Sequence, residues 1–173
     1  MSVVINGSAG VITNSGAVYD SIQRATYQAT TSGTAFNFTS IPSWVKRITV
    51  MFQGVSLSGT DSILVQLGDA GGIENTGYIS TSTGFTGAAG STVNNTTGFV
   101  ITSDTASYLI SGCMVITNLT GNVWVAVGNG KVSTGVSWVS AGDKTLSDTL
   151  TQLTVTRTGT NTFDAGSINI LYE

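Results

Sequence analysis

The segment Arg47-Ile48-Thr49-Val50-Met51-Phe52-Gln53 alternates between apolar and more polar side chains. In an extended chain, Ile48, Val50 and Phe52 point to one side, and the residues between them point to the other. One side is therefore fully apolar, whereas the other is mixed. A period of two with one apolar face is typical of a β-strand that packs against a core. We expect residues 47–53 to form such a strand.

Similar alternation elsewhere in the chain predicts about ten strands in total. The clearest further segments are residues 123–127, 152–156 and 167–170, and the shorter candidates are 34–39, 62–67, 77–81, 98–102, 108–118 and 131–139. Gly, Asn and Asp predict turns at 58–61, 69–72, 87–95, 121–122, 129–130, 141–143 and 159–161. Many short strands with evenly spaced turns favour an all-β, antiparallel β-sandwich of the jelly-roll-like type.

The composition argues against an enzyme. The 173 residues include no histidine, and only 9% of them are charged. Proton transfer near neutral pH uses histidine most often, and the alternatives need acids or lysines gathered in a cleft. We therefore expect a protein without catalytic activity and without a cofactor or bound metal.

Charge and hydropathy also limit the partners. The six Lys and Arg residues form no run that would follow a phosphate backbone, so we expect no nucleic acid partner. No segment approaches the roughly 18–20 consecutive apolar residues of a membrane span, so we expect no membrane insertion. Because about a quarter of the residues in a typical soluble domain are charged, this chain's low charge indicates surface that is covered by other subunits.

Residues 1–24 differ from the rest of the chain, and we interpret them as an N-terminal arm for assembly or attachment, followed by a sandwich domain at residues 25–173. A short strand is expected at 3–5, a glycine-punctuated loop after it, and one or two helical turns at 18–24. The apolar side chains of the arm that we expect to make assembly contacts are Val3, Val4, Ile5, Val11, Ile12, Val18 and Ile22.

The three tryptophans are candidate contacts to a glycan or a protein partner. A flat aromatic ring matches the apolar face of a pyranose, so Trp44, Trp124 and Trp138 would suit a sugar-stacking platform. Trp124 lies on the opposite side of its strand from Val123, Val125 and Val127, which predicts that it faces a partner or ligand. The competing interpretation is that these rings belong to the core or to a subunit contact.

Several other residue groups have both a chemical and a structural interpretation. Asp69 and Glu74, in a glycine-rich stretch, would share a calcium ion or simply belong to a loop between strands. Two of the acids Asp61, Asp69, Glu74 and Asp104 would form a glycosidase pair if the fold brought them together in a groove. The single cysteine, Cys113, is interpreted as a buried apolar residue rather than a reactive thiol.

Four segments of the chain resemble known proteins. They are residues 38–52 (FTSIPSWVKRITVMF), 65–72 (VQLGDAGG), 163–173 (FDAGSINILYE) and the opening 10–19 (GVITNSGAVY). They resemble a β-rich domain of bacteriophage virion proteins that are often labelled tail fibre or tail proteins. The resemblance implies a structural, surface-displayed role in the virion and a homotrimeric assembly, and it brings no catalytic signature. An extended stem and collagen-like repeats, which longer members have, are absent, so we expect a capsid-decorating protein (cement or head fibre) or a short fibre tip.

These inferences predict a non-enzymatic phage structural protein that associates with itself and with capsid or tail proteins. The arm would add backbone pairing by strand addition. Two alternatives stay open from the sequence. One is a tail-fibre receptor-binding module that recognises host surface glycans through the tryptophans, and the other is a glycan-cleaving enzyme.

Overall fold

The computed structural model describes residues 4–6, 10–12, 22–87, 89–103, 105–133 and 135–173. In these ranges the chain forms β-strands and no helix, and every strand pair is antiparallel. The strands are β1 (Val4–Asn6), β2 (Gly10–Ile12), β3 (Gln23–Arg24), β4 (Gln28–Ala29), β5 (Phe36–Phe38), β6 (Arg47–Leu57), β7 (Ile63–Asp69), β8 (Gly72–Ile73), β9 (Tyr78–Thr86), β10 (Ala89–Asn95), β11 (Phe99–Ile101), β12 (Ile110–Thr120), β13 (Val123–Ser133), β14 (Val136–Thr145), β15 (Gln152–Arg157) and β16 (Phe163–Tyr172). The predicted all-β, antiparallel fold is confirmed, with sixteen strands in the described ranges where about ten were expected.

Two sheets pack against each other in a sandwich-like arrangement. The large sheet has nine strands in the order β10-β9-β14-β13-β12-β6-β16-β3, with β4 also paired to β16. The small sheet has five strands in the order β11-β7-β15-β5, with β8 paired to β7. Strands β1 and β2 form a separate two-stranded sheet. Within the described ranges, no helix has the length and hydropathy of a membrane-spanning segment.

The connectivity matches a jelly roll only in part. Strands β6 and β7 pair with β16 and β15 respectively, so consecutive strands at one end of the chain meet consecutive strands at the other. Strands β12, β13 and β14, however, follow one another as a meander within the large sheet. The sandwich is therefore observed, whereas the finer jelly-roll assignment is not confirmed.

Strand β6 behaves as its alternation predicts. Ile48, Val50 and Phe52 are buried in the core between the sheets, while Thr49 and Met51 are only half-buried on the outer side. The facing small sheet contributes inward side chains of β7 and β15 to the same cluster. Burying each aliphatic or aromatic side chain contributes roughly 1.5–3 kcal/mol, which makes this interior the main stabilising element.

A kink in the large sheet ends the strict alternation of β6. Gly54 has a φ of 61° and Gly166 on β16 has a φ of 89°, a region that side chains disfavour. A Cβ on Gly166 would lie 2.4 Å from the carbonyl oxygen of Gly54, so the two backbones touch. Pairing with β12 and β16 shifts register at this point. Beyond this bulge, Val55 and Leu57 face the core, so the inward positions of β6 change from even to odd, and Ser56 between them is buried beside Asp164.

Three of the predicted turns lie instead within strands. Residues 129–130 fall inside β13, 141–143 fall inside β14, and most of 87–95 is β10. The indole of Trp138 explains the first error, because Cβ atoms on Gly128 or Gly130 would lie within 2.8 Å of it. A Cβ on Gly142 would likewise lie 2.5 Å from the Ile79 carbonyl oxygen. These glycines permit close approach rather than chain reversal.

The remaining turn predictions agree better with the structure. Chain reversals occur after β6, after β7, after β12 and after β15, at the positions expected from 58–61, 69–72, 121–122 and 159–161. The predicted strand at 131–139 is wrong, because it comprises the end of β13 and the start of β14. The turn between β13 and β14 was not predicted, because apolar residues on both sides of it continue the alternating pattern.

The described end of the predicted arm belongs to the large sheet. Gln23 and Arg24 form β3 and pair with Tyr172 and Leu171. The helical turns expected at 18–24 are therefore wrong for residues 22–24, and residues 18–21 lie outside the described ranges. The division of the chain at residue 24 otherwise stays a prediction.

Replacing Gly130 by alanine should destabilise the fold. A Cβ there would lie 2.2 Å from the Ser111 carbonyl oxygen and 2.7 Å from Trp138 Nε1, so backbone and indole must move apart. We expect the free energy of unfolding to fall by about 2–3 kcal/mol, measured by urea denaturation. Gly90→Ala is the matched control, since Gly90 is exposed on β10 and its nearest neighbour is the Thr83 side chain. That change should stay within about 0.5 kcal/mol. Equal effects of the two substitutions would contradict the packing argument.

Candidate functional site

The outer face of strands β9, β13 and β14 is an exposed surface with a marked apolar content. We call it the outer strip. Its side chains are Ile79, Thr81, Thr83, Val125, Val127, Asn129, Val139 and Ala141. Ile79 is 71% exposed and Val127 is 62% exposed, values high for large apolar residues in strands. Such a surface is typical of a contact region.

Strand register makes the outer strip continuous. Val127 lies opposite Ala141, which lies opposite Thr81 on the next strand. One step along the strands, Asn129, Val139 and Thr83 form a second row in the same way. Neighbouring strands lie about 4.8 Å apart, so the side chains of a row are in contact distance.

The outer strip contains two shallow depressions. One has a volume of about 670 Å³ and reaches from Ile79 to Asn94, and the other has a volume of about 440 Å³ and lies along Val127 and Val139. Thr81 and Ala141 line both depressions, so the two adjoin each other. Among the described residues of β13 and β14, the charged outward side chains are Asp143 and Lys131, which lie towards opposite ends of the strip.

The expectation that Trp124 faces a partner is wrong. Trp124 is only 3% exposed and packs in the core, while Val125 and Val127 on the other side of β13 are exposed. Both sides of this strand are apolar, so alternation alone did not distinguish the buried side from the exposed one. The larger indole fills the space between the sheets, and the valines are left outside.

The tryptophans do not form a common platform. Trp138 is fully buried, so neither it nor Trp124 presents a ring to a glycan. Trp44 is 44% exposed and lies beside Tyr172, with ring centroids 6.2 Å apart. Of the three predicted contact residues, Trp44 alone stays available to a ligand.

Asp69 and Glu74 come together in a polar cluster around Ser147. The Ser147 hydroxyl lies 2.7 Å from Asp69 Oδ2 and 2.8 Å from Glu74 Oε1, and the Ser147 N–H donates to Glu74 as well. The ammonium of Lys144, almost fully buried, lies 2.5 Å from Glu74 Oε2. It also lies 5.3 Å from the centre of the Tyr78 ring. Lys144 was not predicted from the sequence, although alternation along β14 places it on the same side as Trp138 and Ser140, which face inward.

Hydrogen bonding lowers the pKa of both carboxyl groups. The Ser147 hydroxyl and the Gly71 N–H lower the pKa of Asp69, against a smaller opposing effect of burial. Burial acts to raise the pKa of Glu74, but hydrogen bonds from Lys144 and Ser147 together outweigh it, and the pKa is lowered. Burial raises the pKa of Tyr78, whose hydroxyl donates to the Glu74 carbonyl oxygen at 3.1 Å.

This cluster fits a structural role better than either chemical interpretation. A general acid needs a raised carboxyl pKa, whereas both pKa values here are lowered. A cation at this position would lie close to the Lys144 ammonium, which already neutralises Glu74. The cluster instead ties the segment after β14 to the loop that joins β7 and β9.

The other predicted acids and the cysteine lie apart from this cluster. Asp61 accepts a hydrogen bond from the Asn161 N–H and joins two turns. Asp104 lies outside the described residues. Cys113 is half-buried on the outer side of β12 between Asn129 and Met51, so its predicted place in the core is wrong. The inward side chains of β12 are Ile110, Met114 and Ile116, so the odd-numbered Cys113 lies on the opposite side of the strand.

The predicted arm residues are described in part. Val4 and Ile5 lie in β1 and pair with Ile12 and Val11 in β2. Strand β2 was predicted to be part of a loop. Ile22 precedes β3 and is 54% exposed. Val3 and Val18 lie outside the described residues, and the assembly role of the whole set stays a prediction.

No protein family, curated protein or solved structure matches this chain.

Replacing Glu74 by glutamine should destabilise the protein at neutral pH, because it leaves the buried Lys144 ammonium without a carboxylate. We expect a loss of about 2–3 kcal/mol in the free energy of unfolding, measured by urea denaturation at pH 7. Since the pKa of Glu74 is lowered on folding, its stabilising effect is present above its ordinary pKa and is lost as the pH falls through the lowered value. The difference from the wild type should therefore shrink below about pH 4.

Glu173→Gln provides the control for this experiment. Glu173 pairs with Arg47, but both side chains are substantially exposed, so the loss should be below about 1 kcal/mol. A loss for Glu74→Gln that is equally small, or that does not change with pH, would show that the Lys144 ion pair does not stabilise the fold.

Proposed function

We propose that this protein is a non-enzymatic bacteriophage structural protein, displayed on the virion surface, that assembles with copies of itself through the outer strip. The observation that carries the proposal is the exposure of Ile79, Val125, Val127 and Val139 on one continuous sheet face. The sequence resemblance to phage tail proteins supports the viral assignment, and the low charge of the chain supports assembly.

A second copy of this chain is the partner that fits the outer strip best. Covering apolar surface contributes about 25 cal/mol per Å², so four exposed aliphatic side chains favour association. Asp143 and Lys131, near opposite ends of the strip, carry opposite charges. Copies of the strip therefore carry no net charge into the contact between subunits, and no buried charge lies at the centre of the strip.

The proposed assembly is a homotrimer attached through the N-terminal segment. Strands β1 and β2 form a two-stranded sheet of three residues each, a structure that is marginally stable by itself in water. Pairing of its edge with another subunit, or with a capsid or tail protein, would supply the missing hydrogen bonds. The proposed positions are the capsid surface, as a cement protein or head fibre, or the tip of a short fibre.

A receptor-binding module is the second candidate function, and it depends on a different surface from the one predicted. The burial of Trp124 and Trp138 removes the three-tryptophan platform. The exposed ring of Trp44 beside Tyr172 supports glycan binding at the opposite edge of the large sheet.

Replacing Val127 by lysine should separate the subunits without unfolding them. An ammonium at the centre of the outer strip would be buried without a partner, which should weaken association by about a hundredfold or more. Analytical ultracentrifugation should report a trimer for the wild type and monomers for Val127→Lys. Leu119→Lys is the control, because Leu119 is similarly exposed, at 67%, but lies outside the strip. A monomeric wild type, or an intact trimer of Val127→Lys, would contradict the proposal.

Deleting residues 1–21 should abolish attachment to particles and leave the sandwich folded. The deletion ends before β3, so the pairing of Gln23 and Arg24 with β16 is kept. Phage particles that lack the protein would be incubated with either form, labelled with gold-conjugated antibody and imaged by electron microscopy. Gold label should appear on phage heads or tails when the full chain is used, and not when the truncated chain is used. Equal labelling by the truncated chain would show that the segment does not mediate attachment.

A further inference from the structure

A pocket of about 390 Å³ opens where the two sheets separate, far from the outer strip. Its walls come from the chain around β4, from the end of β5 and from β16. The residues important for its chemistry are Thr26, Gln28, Asn37, Thr39, Ser40 and Tyr172. Its volume lies within the range of small-molecule sites.

Backbone hydrogen bonds hold the walls of this pocket in place. The Ile41 N–H donates to the Thr151 carbonyl oxygen at 2.9 Å, and the Ala25 N–H donates to the Ile170 carbonyl oxygen at 3.1 Å. Across the pocket, Gln28 Nε2 donates to the Asn37 carbonyl oxygen at 2.8 Å. The walls therefore need little ordering when a ligand binds, which favours affinity.

Ser40, in the wall, has a left-handed backbone. Its φ is 59°, and within the described ranges it is the one residue other than glycine with a positive φ. This conformation costs of order 1 kcal/mol or more for a residue with a side chain, and such residues cluster at ligand sites. This backbone conformation is therefore a second feature of the pocket, besides its shape, that is common at ligand sites.

The lining of the pocket is polar but uncharged. The side chains of Thr26, Asn37, Thr39 and Ser40 make no hydrogen bond within the described part of the chain, so their donors and acceptors are available to a ligand. No Lys, Arg, Asp or Glu lines the pocket. A charged ligand would lose hydration here without gaining a counter-charge, so a neutral ligand is favoured.

Aromatic surface continues from the pocket to the exterior. Tyr172 lines the pocket, and the exposed ring of Trp44 lies next to it. Amides and hydroxyls beside an aromatic face match a molecule with many hydroxyl groups and one apolar face. A pyranose ring has both properties.

We infer that this pocket binds a neutral saccharide, with the hydroxyl groups of the sugar held by Asn37, Thr39 and Ser40 and its apolar face against Tyr172. The inference does not depend on self-assembly, because the pocket lies at the β16 edge of the large sheet and the outer strip lies towards the β10 edge. It gives the exposed Trp44 a role in longer glycans, where a second sugar would extend over its ring.

The test is a titration of the ¹⁵N-labelled full chain, followed by amide chemical shifts. The probes are glucose, galactose, mannose, rhamnose and N-acetylglucosamine at millimolar concentrations, with N-acetylneuraminic acid as the charged comparison. At least one neutral sugar should produce saturable shifts at residues 25–28 and 37–41. Absence of such shifts with all five, shifts confined to other regions, or equal shifts with N-acetylneuraminic acid would overturn the inference.

Variants make the assignment specific. Asn37→Ala should weaken binding of the responding sugar about threefold to tenfold, since one hydrogen-bonding side chain is removed. Thr39→Ala should weaken sugar binding by a similar factor. This second variant replaces Asn37→Ala in the test if the amide spectra show that Asn37→Ala alters the fold. Asn75→Ala, an exposed asparagine in the loop between β8 and β9, should leave affinity unchanged. Unchanged affinity in both pocket variants would place the sugar elsewhere.

Discussion

Strand β6 must pair along both edges while burying one face, and the rest of the structure is arranged around this requirement. Its edges pair with β12 and β16, which come from distant parts of the sequence. Its inward side chains, Ile48, Val50 and Phe52, meet the small sheet. The bulge at Gly54 and Gly166 then shifts the inward positions of β6 to Val55 and Leu57. Because β16 also pairs with β3 and β4, the first and last strands of the described sandwich are neighbours beside β6.

The close packing of tryptophan against glycine determines which surface is left exposed. Trp138 lies over Gly128 and Gly130 between the sheets, and Trp124 occupies the same side of β13. Strand alternation then places Val125, Val127 and Val139 outside. The apolar outer strip is thus a direct consequence of how the core is filled, and this links core packing to the proposed assembly.

The few charges of the chain are used mainly at structural positions. Glu74 and Lys144 pair inside the polar cluster, and Arg47 and Glu173 join β6 to the end of the chain. The outer strip and the pocket beside β5 are consequently left almost without charge. Neutral surfaces of two kinds result, one apolar and suited to another subunit, the other rich in hydroxyls and amides and suited to a neutral sugar.

Period-two alternation in segments such as 47–53 was enough to predict an all-β antiparallel fold, because alternation depends on local backbone geometry. The sequence alone also determined the sparse charge on which the proposed assembly partly rests. Only the tertiary structure decided which face of β13 is buried, since valine and tryptophan are both apolar and the choice depends on the space between the sheets. It also decided that Gly130 and Gly142 lie within strands, that Lys144 pairs with Glu74, and that a pocket forms beside Ser40. Each of these depends on contacts between residues far apart in the chain, which no local pattern records.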